Sequence, residues 1–225
     1  MQVYALVRVI FNHADRMELT IGLPNPCKKV QPPKFDNRMT NPLTGEDRKK
    51  LEDTCAAWKN QHASRVVLFC MYSGRRVGEV RQLKWSDVSI DGDGGGGLSV
   101  TFRASTTKSG KVQTVPINDM AAGVIRDAKA ASNGKSELVF PASTGKYFSG
   151  FHAVWYRLRK SAKLSRHYRL HDLRHGFAST LVSNGVSLYM VKELLGHADI
   201  KTTERYAHLA TGALREAAGV MCGPS

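Results

Sequence analysis

The sequence lacks long apolar runs, has few cysteines, and is short of acidic residues. Its apolar runs are brief, as in Val66-Val67-Leu68-Phe69-Cys70-Met71, far below the roughly 20 apolar residues that cross a bilayer. A helical membrane protein is excluded. No basic segment followed by an apolar stretch opens the chain, so no secretory signal is read. The four cysteines, Cys27, Cys55, Cys70 and Cys222, are scattered without a CxxC pair. They read as reduced thiols of a cytoplasmic protein, which argues against a disulfide frame or a zinc site.

The shortage of acids is the informative absence. Nineteen Asp and Glu face 33 Lys and Arg, for a net charge of +14. A surplus this large points to a polyanionic partner, with nucleic acid as the first candidate. An anionic membrane is set aside because no basic amphipathic helix with aromatic anchors is found. The 225 residues, 42% hydrophobic and 23% charged, suit a globular protein that needs no disulfide staples.

Along the chain, Val3, Leu6, Val9, Ile10 and Met17 recur at helical spacing and predict a helix over 2–18. Residues 22–43 hold five of the eight prolines and read as a linker. A lone helix and a linker make no domain, so the chain is expected to begin inside one. A compact unit opens at Thr44-Gly45-Glu46-Asp47, a capping-box pattern in which Asp47 reaches back to the helix start. Helices are expected to about Trp58, over 63–73 and over 76–83. The Gly-rich 91–97 is a flexible loop. Segments 98–103 and 112–116 predict a β-hairpin whose turn carries Thr107-Lys108-Ser109-Gly110-Lys111. Helices follow at 119–132, 148–162, 172–184, 187–195, 200–207 and 211–221, with Gly185 and Gly196 as stops. The fold class is therefore mainly α with a small antiparallel β-sheet, an α+β domain.

Three motifs carry chemistry. In Ser73-Gly74-Arg75-Arg76-Val77-Gly78-Glu79-Val80, Arg76 begins a helix after a glycine break. Its fork can hold two oxygens of one phosphate, and Glu79, one turn on, can orient it. In His171-Asp172-Leu173-Arg174-His175, His171 and Arg174 lie three apart and share a helix face, so both can serve one anion. In Leu194-Leu195-Gly196-His197, a glycine ends a helix and a histidine sits in the turn. Tyr206 follows nine residues later. Taken singly, each motif has a plain structural explanation: a surface ion pair, a chance match, a core tyrosine.

Taken together, in this order and spacing, they resemble the tyrosine recombinase family, specifically phage-type integrases. The resemblance covers about residues 42 to 210. It implies a tyrosine recombinase catalytic domain over 42–225, preceded over 1–41 by the end of a core-binding domain and its linker. Arg76 matches the first catalytic arginine, Glu79 its supporting acid, and Lys108 the hairpin lysine, a role that Lys111 also claims. His171 and Arg174 match the HxxR pair, His197 the late histidine and Tyr206 the nucleophile.

The resemblance implies strand cleavage and rejoining of double-stranded DNA through a covalent 3′-phosphotyrosine. The two arginines would stabilise the charge on phosphorus. One histidine would assist deprotonation of the phenol, with His171 favoured, and Lys108 would protonate the departing 5′ oxygen. No metal, ATP or other cofactor is implied. A homo-oligomer on DNA (a tetramer), DNA-bending accessory proteins and viral genome integration belong to the same implication, as does docking of the 211–221 tail on a neighbour. Candidate phosphate contacts are Arg157, Arg159, Lys160, Lys163, Arg166 and Arg169, with Arg81 and Lys84 behind them. Two other readings stay open: a relaxing enzyme like the type IB topoisomerases, and a DNA-binding remnant without catalysis.

Overall fold

The computed structural model describes residues 2–19, 23–31, 42–90, 97–107 and 110–210. Lys108, most of the Gly-rich loop and the expected 211–221 helix lie outside the described residues. The chain divides into two compact units, Met1–Arg38 and Met39–Ser225.

In the first unit, α1 (Gln2–Arg16) is joined to a 3-10 turn, Pro26–Lys29. Tyr4 Oη donates to the Cys27 carbonyl at 3.1 Å, and Asn25 Nδ2 donates to Asn12 Oδ1 at 2.8 Å. Cys27 is buried, but Val3, Leu6, Val9 and Ile10, the stripe that predicts the helix, stay exposed.

The second unit is built around α3 (Gln61–Ser73). Its apolar residues run Val66, Val67, Phe69 and Cys70, all buried, because the helix is covered on several sides. It packs on α2 (Gly45–Ala57), α5 (Asp119–Ala130) and α7 (Asp172–Ser183). Thr44 caps α2 by accepting from the Asp47 amide at 3.1 Å. The other half of the expected capping box is absent. The buried Asp47 carboxylate instead accepts from the Ser165 amide and hydroxyl and from Tyr168 Oη, tying α2 to the loop before α7. Three donors satisfy a buried carboxylate better than one amide at its own helix start.

The expected helix at 76–83 is a single turn, α4 (Val77–Val80). A 3-10 turn at Trp85–Asp87 leads into β1 (Val88–Ile90), too short to show an alternation in sequence. β1 pairs antiparallel with β2 (Leu98–Phe102), and β2 with β3 (Gln113–Ile117), in the order β1-β2-β3. Val88, Val100 and Val115 stand in register. Alternation puts Leu98, Val100 and Phe102 into the core. On the other face, the Thr101 and Thr114 hydroxyls meet at 2.8 Å.

α6 (Phe151–Ser161) buries Phe151, Trp155 and Leu158 in the same core. Trp155 Nε1 donates to the Tyr168 carbonyl at 3.1 Å, fixing the loop that enters α7. α7 and α8 (Leu188–Leu195), joined by Tyr206 from the C-terminal segment, then form a smaller cluster of Ala178, Val182, Val191, Leu195 and Tyr206. The expected helix at 200–207 is two 3-10 stretches, Ile200–Thr202 and Glu204–Leu209.

Candidate active site

The site begins where α3 stops. Gly74 lies in the left-handed region at φ 65°, and a side chain there would run into Phe177 and Leu195. The tight turn sends two adjacent arginines to different places. Arg75 is buried: Nε donates to Glu79 at 3.1 Å, and Nη1 donates to Gln113 Oε1 at 3.0 Å and to the Leu194 carbonyl at 3.2 Å. Its guanidinium lies 3.7 Å from the Phe102 ring centroid. Arg75 thus joins α4, β3 and the end of α8. Burial lowers its pKa to about 10, which leaves it charged. Arg76 keeps 25% side-chain exposure, and its Nη1 donates to Glu79 Oε1 at 2.9 Å. The buried Glu79 carboxylate therefore orients both guanidinium groups.

The start of α7 supplies the second cation. Arg174 is buried, and its Nη1 donates to the Gly74 carbonyl at 3.0 Å. Its Nη2 is buried without a partner. Burial and then the charge of Arg76 depress its pKa to about 9. A guanidinium under this pressure, with an idle buried donor, is stabilised by an incoming anion. His171 precedes the helix and is exposed. Its pKa is lowered by partial desolvation and by the charges of Arg174 and Arg76.

α8 ends at Gly196, φ 70°, where a side chain would collide with Gln113 and Arg75. This turn buries His197, whose Nδ1 meets Thr203 Oγ1 at 2.8 Å. Burial, then Arg174, Arg76 and Arg205, push its pKa down to about 3, so the ring is neutral at pH 7. Tyr206 is buried too, and its hydroxyl is hydrogen-bonded to His175 Nδ1. Burial raises its pKa while Arg205 and Arg174 pull it down. The net direction is upward, so without DNA the cationic surroundings do not by themselves activate the phenol.

Arg76, Glu79, His171, Arg174, His197 and Tyr206 thus gather around one cationic centre. Sequence reading missed His175, although it directly follows Arg174 and lies one helical turn after His171. It also passed over Arg75, which the motif leaves indistinguishable from its neighbour. Among the described residues, no group of three His, Cys, Asp or Glu could hold a metal ion.

The outer basic residues divide. Arg157, Lys160, Lys163 and Arg166 are exposed on α6 and the loop after it, and Arg159 is partly exposed beside Tyr156. Arg169 pairs with Asp172 at 3.1 Å, and Lys84 with Glu137 at 2.9 Å. Arg81 is turned inward, donating to the Phe148 carbonyl and stacking on Tyr147.

Known proteins resemble the chain in sequence and in fold. The chain is 28% identical over 202 residues to tyrosine recombinase XerD of Oceanobacillus iheyensis, an alignment covering 85% of this chain and 65% of that protein. It is 31% identical over 200 residues to tyrosine recombinase XerA of Thermococcus kodakarensis, covering 87% and 68%. The chain thus spans about two thirds of these relatives' length. A lambda integrase dimer bound to a COC′ core site shares the fold, with a TM-score of 0.69 at 19% identity, covering 89% of this chain and 72% of that one. The pattern of the phage integrase family itself matches residues 41–212, and with that match the chain belongs to the phage integrase family of tyrosine recombinases.

Proposed function

We propose that this protein cleaves and rejoins double-stranded DNA at specific sites, with Tyr206 as the nucleophile. The observation that carries the reading is the meeting of three groups. Arg76 is held by Glu79, Arg174 has an idle buried donor, and Tyr206 lies within reach of Arg174's charge. A phosphodiester repels nucleophiles and gains charge in the transition state. Two preorganised guanidinium groups offset that charge, and His171 and His197 add hydrogen bonds to the same oxygens. The expected products are a 3′-phosphotyrosine and a free 5′-hydroxyl, the latter protonated by Lys108. The covalent link retains the energy of the broken phosphodiester, so rejoining takes no ATP. Cationic side chains carry the charge, so the reaction as drawn takes no metal.

DNA contacts are assigned to the exposed cations of 157–166, which hold phosphates and do not read sequence. The recombinase relatives and the DNA-bound dimer of lambda integrase support a DNA partner and assembly on DNA. A tetramer, a core-binding origin for residues 1–41 and integration of a viral genome are narrower forms of the same proposal.

The test is a covalent trap. Nicked duplexes of randomised sequence release a short fragment on cleavage, which blocks reversal. Protein shifted on a denaturing gel, and lost with Tyr206→Phe, is the expected result. Salt-sensitive DNA binding with no adduct would leave only the binding remnant.

A further inference from the structure

We propose that His175 is the proton acceptor for Tyr206, taking the phenolic hydrogen as Oη attacks phosphorus. The inference rests on the phosphotyrosine reading above and names a group that reading leaves out. Nδ1 of His175 is in hydrogen-bond contact with Oη of Tyr206, the reacting atom. Both side chains are buried. His171, which the family resemblance favours for this role, is not hydrogen-bonded to the phenol. It stands exposed, its ring edge-on to His175 with centroids 5.0 Å apart.

Helix geometry explains the division of labour. Consecutive helical residues point about 100° apart. Arg174 therefore turns to the Gly74 carbonyl, while His175 turns to the 3-10 segment that carries Tyr206. One turn of α7 thus serves the phosphate with one side chain and the nucleophile with the next. An imidazole can accept a proton only when neutral. Burial, then the charges of His171 and Arg205, lower the pKa of His175 to about 4, with Asp172 acting in the opposite direction; this keeps the ring neutral near pH 7 and also makes it a weaker base than a free imidazole. The groups that face it are His171, Asp172 and Arg169 from α7 and its approach, and His197, Arg205 and Tyr206 from the C-terminal segment. With its own proton on Nε2, the ring presents Nδ1 as an acceptor.

The step balances. The Tyr206 O–H bond breaks and its proton passes to Nδ1. The Oη–P bond forms and the P–O5′ bond breaks. The 5′ oxygen leaves with a proton from Lys108 or water. Rejoining runs these transfers backwards, and His175 returns its proton to the departing phenol.

Three arms test the proposal on the full chain, using single-turnover cleavage of the nicked duplex. His175→Gln keeps a polar group beside Oη but cannot take a proton. Cleavage should fall roughly 10²–10⁴-fold, with Tm and salt-dependent DNA binding near those of the unaltered protein. His175→Ala should recover part of its activity when imidazole is added. In His175→Gln the rate should climb about tenfold per pH unit, since solvent base must replace the ring, whereas the unaltered protein should be level around neutrality. A His175→Gln rate equal to or above that of the unaltered protein would overturn the proposal and make the hydrogen bond a latch that parks the phenol. A loss with lowered Tm and no imidazole rescue would overturn it in favour of a packing role. Absence of any Tyr206-dependent adduct from the unaltered protein would instead defeat the function proposed above.

Discussion

The two halves of the candidate site rest on unequal foundations. Arg76, Glu79 and Arg174 sit where α3, α4 and the start of α7 enter the large core, beside Cys70, Val80 and Leu173. Tyr206 sits on a 3-10 stretch and shares its cluster with four other buried residues, Ala178, Val182, Val191 and Leu195. α7 spans both regions, with its first turn in the large core and its last in the small cluster. A charge-stabilising group works best when it is already in place, since reorganisation during the reaction weakens it. A nucleophile has the opposite requirement: it must reach the phosphate and later release it. An element held by a small cluster can open without unfolding the rest.

The sharpest way to break this comparison is to remove a rigid cation. Arg174→Ala should lower cleavage at least about 10²–10³-fold, the typical cost of one preorganised donor. Arg174→Lys should not restore it. A single ammonium cannot both bond the Gly74 carbonyl and present a planar fork to phosphate. Single-turnover rates on the nicked duplex measure this, and a lysine variant within a few-fold of the unaltered protein would remove the bidentate role.

A pair of cavity variants tests the two foundations directly. Phe69→Ala empties the large core and should cost about 3–5 kcal/mol, read as a lowered Tm with cleavage per folded molecule retained. Leu195→Ala empties the small cluster at about 2–5 kcal/mol. Its effect should fall on cleavage well below the melting temperature, because the seat of Tyr206 loosens while α3 stays folded. Hydrogen exchange should show residues 200–209 opening before α3 in Leu195→Ala. Equal protection losses in both regions would mean that the unit unfolds as one and that the contrast has no energetic content.

What the sequence reveals follows the same divide. Arg76, Arg174 and Tyr206 are legible because their chemistry demands a residue type at a fixed spacing. The apolar runs around Val66 and Leu98 are legible because burial imposes a period. His175 escapes because HxxR ends one residue short of it, and its partner lies 31 residues away. Asp47 escapes for a similar reason. Its local pattern is a capping box, but its bonds go to Ser165 and Tyr168, partners that no short window contains. The segment after Gly196 has helical composition, yet the His197–Thr203 bond and the packing of Tyr206 draw it into 3-10 turns. Tertiary contacts decide structure there, where few local hydrogen bonds compete.

The smallest expected effect comes from pH, and it should fall more heavily on one side of the comparison. His175 and His197 both belong to the nucleophile side, and both have folded pKa values below the ordinary 6.5, at about 4 and about 3. The unfolded or opened segment therefore binds protons more readily than the closed one. Its stability is fully present above pH 6.5 and declines as pH falls from there toward the folded values. Arg174 stays charged across this window, and the helices that carry the two arginines are anchored in the large core. Between about pH 6.5 and pH 4, hydrogen exchange corrected for its intrinsic pH dependence should show exposure growing more in residues 197–209 than in α3, where His62 is the one histidine with a lowered pKa. His197→Gln, which cannot be protonated in this range, should flatten part of that dependence. If α3 and the C-terminal segment lost protection together, acid would be acting on the whole unit, and the histidines would not set the local stability of the nucleophile.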